Sequence, residues 1–70
     1  MEHYTAFDSS NVVRISYDVS TSTLEVEFHN GSVYQYYDIP EHLWDAFKQA
    51  DSKGQFLHQN VKGQYRYSKV

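Results

Sequence analysis

The sequence contains no cysteine, only one proline and only three glycines among its 70 residues. Without cysteine the chain can form neither a disulfide nor a thiolate zinc site, which often support domains of this size. A chain with no thiols suits a reducing compartment. We therefore expect a cytoplasmic protein that needs no cofactor for its stability.

Long apolar runs are also missing. No stretch approaches the roughly 18 apolar residues that a membrane-spanning helix requires. The first ten residues, MEHYTAFDSS, carry acids and hydroxyls where a secretory signal would have a basic start and an apolar segment. The sequence therefore predicts a soluble chain without a membrane segment.

Acidic residues are absent after Asp51. Residues 1–51 contain all nine acids and only Arg14 and Lys48 as bases, which gives this part a net charge of −7, whereas the whole chain carries −3. Residues 52–70 have a net charge of +4 from four bases, Lys53, Lys62, Arg66 and Lys69. Such a basic end can attract phosphate groups locally. Chance clustering of solvated charges is the simpler alternative.

The residues that are present indicate one small folded unit. Hydrophobic residues make up 40% of the chain and aromatic residues 17%, which is sufficient for a globular core. A chain of 70 residues is too short for two domains. We predict a flexible N-terminal arm over residues 1–8 and a single domain over residues 9–70.

Two segments show the period-2 alternation of apolar and polar residues that is typical of half-buried strands, and a third strand is expected after the hairpin signal that follows them. In the first segment Val13, Ile15 and Tyr17 alternate with polar residues. Residues 24–28 have the clearest alternation, and residues 32–37 follow as a third segment. The sequence therefore predicts three consecutive strands.

The pair Asn30-Gly31 predicts a hairpin between the second and third strands. A two-residue turn would place Tyr34 and Tyr36 on the outer face of the sheet. A three-residue loop over residues 29–31 would place both tyrosines on the core face instead. We favour the second register because it keeps Gln35 out of the core, and it makes the two tyrosines mainly structural.

Two short helices are expected after the hairpin. The first is predicted over residues 40–50, and the second begins after a cap at Asp51 or Ser52 and ends near Gly63. Alternation over residues 65–69 indicates a final strand. The predicted order is β-β-β-α-α-β, an α+β fold in which a small antiparallel sheet of three to four strands packs against two short helices.

Residues with obvious chemistry do not form a recognisable active site. The four histidines lack the helical spacing of three or four that would bring two of them to one metal ion. Glu25 and Glu27 share one strand face, but the predicted surroundings are solvent rather than a pocket that would activate a carboxylate. The chain also lacks the Gly-x-Ser-x-Gly motif of serine hydrolases. We predict no metal site, no catalytic residue and no enzymatic activity.

A phosphate site is one candidate at the start of the second helix. There Ser52, Lys53 and Gly54 combine a helix amino terminus, whose N–H groups attract anions, with a basic side chain. An ordinary serine cap followed by a flexible glycine is the alternative interpretation.

The basic end also carries interleaved tyrosines. Basic side chains neutralise a phosphate backbone, while aromatic rings stack on unpaired bases, so this mixture is typical of single-stranded nucleic-acid binding. The predicted nucleic-acid-binding residues are Lys53, Lys62, Tyr65, Arg66, Tyr67 and Lys69. The alternative for the two tyrosines is that they cover the edge of the sheet.

Short motifs along nearly the whole chain resemble the KTSC domain, a module found at the carboxyl end of some lysyl-tRNA synthetases and alone in bacterial and phage proteins. They are Ser9-Ser10, Tyr17-Asp18, Leu24-x-Val26-x-Phe28, Asn30-Gly31, Tyr34-Gln35-Tyr36, Ile39-Pro40, Ala50-x-Ser52-Lys53-Gly54 with Phe56, and Val61-Lys62 followed by Tyr65. The sequence departs from the family at Tyr37, where a small residue such as glycine is expected.

The resemblance implies a binding domain of uncharacterised function with no catalytic residues. RNA binding is suggested for the family by its association with the synthetases. Our leading hypothesis is a stand-alone module that binds RNA, either tRNA or a single strand, through its basic end. The alternative is a protein–protein interaction module that docks a partner on a strand edge or around Tyr37 and Trp44, which the acidic body of the chain favours.

Overall fold

The computed structural model describes residues 1–5, 7 and 11–70. They form an α+β fold in which five antiparallel strands, ordered in the sheet as in the chain, accompany two helices. The elements are β1 (Glu2–Tyr4), β2 (Val12–Asp18), β3 (Thr23–Phe28), β4 (Val33–Tyr36), α1 (Glu41–Gln49), α2 (Lys53–Asn60) and β5 (Tyr67–Lys69). The predicted fold class is confirmed, although the sheet has five strands rather than three or four.

The hairpin between β3 and β4 adopts the register with the three-residue loop. Leu24 pairs with Tyr36, and Val26 pairs with Tyr34. Gly31 has a φ of 88°, a left-handed conformation that glycine adopts without the steric penalty of a side chain. The favoured register is therefore confirmed, and both tyrosines lie on the core face of the sheet.

The prediction for Val13 is wrong because β2 contains an irregularity. Val13 was expected on the core face with Ile15 and Tyr17, but the pairing of β2 with β3 shifts between Val12 and Arg14. Such a bulge reverses the alternation of side chains beyond it. Val12 is consequently 2% exposed, whereas Val13 is 37% exposed.

The core lies between one face of the sheet and the two helices. The Tyr17 ring stacks on Trp44 with 5.5 Å between ring centroids, and its hydroxyl donates a hydrogen bond of 2.6 Å to the carbonyl oxygen of Ile39. The buried apolar residues of this core cluster are Val12, Ile15, Tyr17, Leu24, Val26, Tyr36, Ile39, Trp44, Phe47, Leu57 and Val61. Burial of these side chains supplies most of the stabilisation of a domain this small.

The opposite face of the sheet is polar and connected by hydrogen bonds. Arg14 donates to Glu25 at 3.2 Å and to Glu27 at 3.1 Å. The Nδ1 atom of His3 lies 2.7 Å from the hydroxyl oxygen of Ser16, which is fully buried. The carboxylates of this face therefore already have cationic partners.

The helices begin close to their predicted positions. The Ser52 hydroxyl accepts a hydrogen bond of 3.2 Å from the backbone N–H of Gln55, so Ser52 is the cap of α2. Before α1, Asp38 has a φ of 60°, a conformation that aspartate tolerates better than most residues. Tyr37 itself is not in this conformation, so the turn does not require glycine there. No helix in residues 1–5, 7 and 11–70 is long and apolar enough to cross a bilayer.

The first residues form an edge strand where the sequence predicts a flexible arm. Glu2–Tyr4 pairs antiparallel with β2. The carboxylate of Glu2 accepts a hydrogen bond of 2.7 Å from the Trp44 indole, and its other oxygen lies 3.4 Å from the Lys48 ammonium group. These contacts connect β1 to α1. Ala6, Asp8, Ser9 and Ser10, which belong to the predicted arm and to the first motif, lie outside the described residues.

This attachment predicts a pH-dependent effect of Glu2→Gln. The hydrogen bond from Trp44, assisted by Lys48, lowers the pKa of Glu2 below its ordinary value of 4.5. As the pH falls, the Glu2 carboxylate is therefore protonated in the unfolded chain before it is protonated in the folded chain. The stabilisation by Glu2 is complete above pH 4.5 and disappears as the pH falls to the lower pKa of the folded state. In urea unfolding, the stability gap between the wild type and Glu2→Gln should narrow as the pH falls. A constant gap would contradict this account.

Candidate functional site

A cleft of about 560 Å³ opens on the core face of the sheet near β5. Four aromatic rings and one lysine form most of its lining: Phe28, Tyr34, Tyr36, Tyr67 and Lys62. We call this feature the aromatic cleft. Its volume is within the range of roughly 300–1,000 Å³ that is usual for pockets that bind small ligands.

Strand pairing brings the rings of the aromatic cleft together. Tyr36 pairs with Tyr67 of β5, so both side chains lie on the same face of the sheet. The Tyr67 ring centroid lies 5.7 Å from that of Tyr36 and 5.9 Å from that of Tyr34. Tyr34 in turn contacts Phe28 edge to face at 5.7 Å. The four rings thus form a continuous aromatic surface.

The four aromatic side chains differ in their exposure to solvent, which is lowest at Tyr36 and highest at Tyr67. Tyr36 is only 3% exposed, while Phe28 and Tyr34 are half-buried and Tyr67 is 59% exposed. Burial, reinforced by the neighbouring Tyr34 and Tyr67, raises the pKa of Tyr36 above its ordinary value of 10.0. The Tyr36 hydroxyl is therefore neutral at physiological pH, and the cleft receives no negative charge from it.

Within the described residues, two cations without an acidic partner lie on the cleft side of the sheet: Lys62 lines the aromatic cleft, and Lys69 lies beside it. The Lys62 ammonium group is 5.9 Å from the centroid of the Phe28 ring. Lys69 pairs with Tyr34 across β4 and β5, so it lies on the same sheet face as the rings. Among residues 1–5, 7 and 11–70, neither lysine forms an ion pair with a carboxylate, in contrast to Arg14, Lys48 and Arg66, which do.

Arg66 and Tyr65 lie beside the aromatic cleft rather than in it. The Arg66 guanidinium forms an ion pair of 3.1 Å with Asp38 and lies 5.9 Å from the centroid of the Tyr37 ring. Both charged groups of the pair are largely exposed, so the pair contributes little and Arg66 can exchange its partner. Tyr65 is half-buried and packs against the core cluster. Of the predicted residues, Lys62 and Tyr67 line the aromatic cleft, and Lys69 lies on the same sheet face. Tyr65 and Arg66, together with Tyr67, line a neighbouring pocket of about 590 Å³.

Lys53 is buried and supports the fold, so its prediction as an exposed binding residue is corrected. The side chain is 4% exposed, and its ammonium group donates to the carbonyl oxygens of Ala50 at 2.6 Å and Lys48 at 3.0 Å. The ring centroids of Tyr4 and Phe7 lie 5.7 and 5.3 Å from the same group. Lys53 is thus used to satisfy the C-terminal carbonyl groups of α1 and cannot reach a ligand without leaving the core.

The predicted phosphate site is affected in the same way. Ser52 serves as the helix cap, and the cation of the motif is buried at Lys53. A Cβ atom added at Gly54 would meet only Asn11 at 3.7 Å, an ordinary contact, so no close approach requires glycine there. Ser52 and Lys53 therefore have local structural roles that do not depend on a phosphate.

Trp44 is likewise not available as an exposed aromatic surface. Its side chain is 2% exposed, and its indole N–H donates to Glu2. The expected docking surface around Tyr37 and Trp44 is corrected accordingly, because only Tyr37 of the two is partly exposed.

The cleft residues that the sequence did not assign to the site are Phe28, Asn30, Ser32, Tyr34, Tyr36 and Gly63. The favoured hairpin register already placed Tyr34 on the core face, but it gave no reason to expect the helices to leave that ring half-exposed. Asn30 and Ser32 lie at the rim because the hairpin loop ends there. The signal that could have identified these residues is the pairing of the last strand with β4.

Other chemically reactive groups do not assemble into a second site. No group of three or more histidine, aspartate or glutamate residues within residues 1–5, 7 and 11–70 could hold a metal ion. The contact between His3 and Ser16 resembles a base and nucleophile pair, but Ser16 is fully buried. A substrate could not reach its hydroxyl.

Comparison with known proteins supplies independent information. A family model described as the KTSC domain matches residues 8–65. A lysine–tRNA ligase of Nostoc sp. is 35% identical over 63 residues, which is 90% of this chain but 11% of the ligase. The chain therefore spans about a tenth of the length of the ligases that it matches. An uncharacterized protein of Stutzerimonas stutzeri is 38% identical over 66 residues, and the match covers 93% of each chain.

A solved structure also resembles the fold. The crystal structure of a KTSC domain protein from Yersinia pestis superposes with a TM-score of 0.86 at 33% sequence identity. The match covers 97% of both chains. The five strands and two helices are thus an arrangement shared with that protein.

Proposed function

The chain belongs to the KTSC domain family, and we propose that it is a non-catalytic module that binds single-stranded RNA at the aromatic cleft. The observation that carries the proposal is the position of two cations, Lys62 and Lys69, beside the continuous aromatic surface, where neither has a carboxylate partner among the described residues. Lysine neutralises phosphate groups, and aromatic rings stack on unpaired bases of any sequence. A cysteine-free RNA-binding domain is suited to the cytoplasm.

The acidic balance of the chain does not oppose this proposal locally. Glu25 and Glu27 are paired with Arg14 on the opposite face of the sheet. None of the residues that line the cleft is acidic. Since exposed charges are screened beyond roughly 8 Å at physiological ionic strength, the cleft can be locally positive on a chain with a net charge of −3.

The dimensions of the cleft favour single strands over duplexes. A volume of about 560 Å³ is sufficient for a nucleotide but not for a double helix. Bases in an A-form duplex are stacked on one another and inaccessible to protein rings, whereas bases of loops and single strands can be turned outwards. We therefore expect loops, ends or single strands to be the ligand.

The relatives provide associational support. The names of several matching proteins specify lysine–tRNA ligase activity, and a ligase of that kind binds tRNA. A small appended domain that holds an unpaired segment of RNA would raise the effective concentration of the substrate for its neighbour. From these relatives we propose for this chain only RNA binding, and not ligase activity, since a shared fold does not by itself establish a shared function.

Salt dependence tests the proposal. We expect fluorescence anisotropy with a labelled single-stranded RNA of about 12 nucleotides to show binding at low salt. If Lys62, Arg66 and Lys69 neutralise three phosphates, the logarithm of the affinity should fall with the logarithm of the salt concentration with a slope of about −2. A slope near zero, or no binding at low salt, would contradict the proposal. Recovery of a defined protein partner after nuclease treatment would then favour the protein-interaction alternative.

A further inference from the structure

We propose that the aromatic cleft accepts one unpaired base, which stacks on Tyr67 while the adjoining phosphates contact Lys62 and Lys69. This inference rests on the proposed function and assigns the cleft to the base rather than to the backbone of the RNA. The cleft thereby contributes a part of the affinity that phosphate contacts alone do not supply.

Tyr67 is the accessible member of the aromatic surface. Its side chain is 59% exposed, so one part of the ring is free for a ligand. The opposite part is supported by Tyr34 and Tyr36, whose centroids lie 5.9 and 5.7 Å away. A ring that is held in place before binding loses little conformational freedom when a base stacks on it.

Two cations lie next to the aromatic surface. Lys62 lies on the side of Phe28, and Lys69 lies opposite Tyr34 on the edge strand. A base stacked on Tyr67 would place its adjoining phosphates within reach of these long, flexible cations. The neutral Tyr36 at the bottom of the cleft leaves no charge that a base would have to desolvate.

The rim of the cleft can contact the polar edge of a base. The side-chain oxygen of Asn30 accepts a hydrogen bond of 2.9 Å from the backbone N–H of Ser32. This bond orients the Asn30 side chain and leaves its amide nitrogen as a donor. The Ser32 hydroxyl at the same rim can donate or accept. A stacked base would therefore meet hydrogen-bonding groups beyond the rings.

A pair of oligomers with equal charge separates base stacking from phosphate binding. We would titrate the isotope-labelled protein at low salt with a uridine tetranucleotide and with an abasic oligomer that carries the same number of phosphates. The uridine oligomer should bind about tenfold more tightly and move the ring protons of Tyr34 and Tyr67 upfield. The abasic oligomer should move only resonances near the lysines.

Two substitutions complete the test. Tyr67→Leu retains apolar bulk but cannot stack, so it should abolish the tenfold preference and leave the affinity for the abasic oligomer unchanged. Tyr37→Leu removes an aromatic ring that does not line the cleft and should preserve the preference. Equal affinities for the two oligomers, with unmoved tyrosine rings, would overturn this inference while RNA binding through phosphates still held. Failure of both oligomers to bind would contradict the proposed function as well.

Discussion

Replacement of Lys53 by methionine is expected to lower the free energy of unfolding by about 3 kcal/mol, since it leaves two partly buried acceptors without a donor and removes a buried ammonium group. Those acceptors are the carbonyl oxygens of Lys48 and Ala50 at the end of α1. Methionine retains an apolar stem but not the ammonium group over the rings of Tyr4 and Phe7. Such a loss is large relative to the roughly 5–15 kcal/mol that stabilises a typical domain.

Lys48→Met is the matched control for this change. Lys48 is also close to aromatic and acidic groups, but its ion pairs with Glu2 and Asp45 are partly exposed to solvent. Pairs of this kind contribute at most about 1 kcal/mol. Urea unfolding followed by circular dichroism measures both variants. Equal stability of Lys53→Met and the wild type would show that the buried ammonium group does not support the fold.

The lowered pKa of Lys53 predicts that its contribution to the stability of the fold increases with pH. Burial lowers the pKa of Lys53 below its ordinary value of 10.5, although Asp51 opposes the shift. Between the lowered pKa and 10.5 the unfolded chain binds more protons than the folded chain, so the stability contribution of Lys53 rises with pH in that interval. The stability gap between the wild type and Lys53→Met should therefore widen as the pH approaches 10.5 from below.

The double substitution Lys62→Gln with Lys69→Gln is expected to lower the affinity for single-stranded RNA at least about tenfold at physiological salt. Both side chains are exposed, so the fold should be unaffected. The change removes the two cations that lie on the cleft face of the sheet. The slope of affinity against salt should also become shallower by about 1.4, which corresponds to two phosphate contacts.

A control with the same change in net charge distinguishes a local contact from general repulsion. Gln49→Glu with Gln55→Glu also makes the chain more negative by two charges, at exposed helical positions that do not line the cleft. We expect this variant to bind RNA within about twofold of the wild type at physiological salt, where distant charges are screened. Equal losses in the two double variants would indicate that net charge, rather than the cleft, governs binding.

The sequence was sufficient for the features that depend on local pattern. The Asn30-Gly31 loop and the exclusion of Gln35 from the core determined the hairpin register, and the structure has that register. The serine cap of α2 follows from the preference of hydroxyl residues for that position. Both features depend on residues that are close together in the chain.

Features that depend on distant parts of the chain were not predictable in the same way. Lys53 was expected on a basic surface because it opens the second helix within the acid-free basic end of the chain. In the structure it meets residues from the first strand region and from the end of α1. The pairing of β5 with β4 joins Tyr67 to Tyr36, although 31 positions separate them in the chain. That pairing creates the aromatic cleft, so the cleft could be recognised only in the folded structure.

The central claim is that RNA contacts this protein at the aromatic cleft, and a residue-resolved NMR titration tests it most directly. The labelled domain would be titrated at low salt with a single-stranded RNA of about 12 nucleotides. We predict that the shifted resonances cluster on Phe28, Tyr34, Lys62, Tyr67 and Lys69 and return as salt is added. A spectrum that does not move, or shifts confined to α1 and the outer face of the sheet, would contradict the claim.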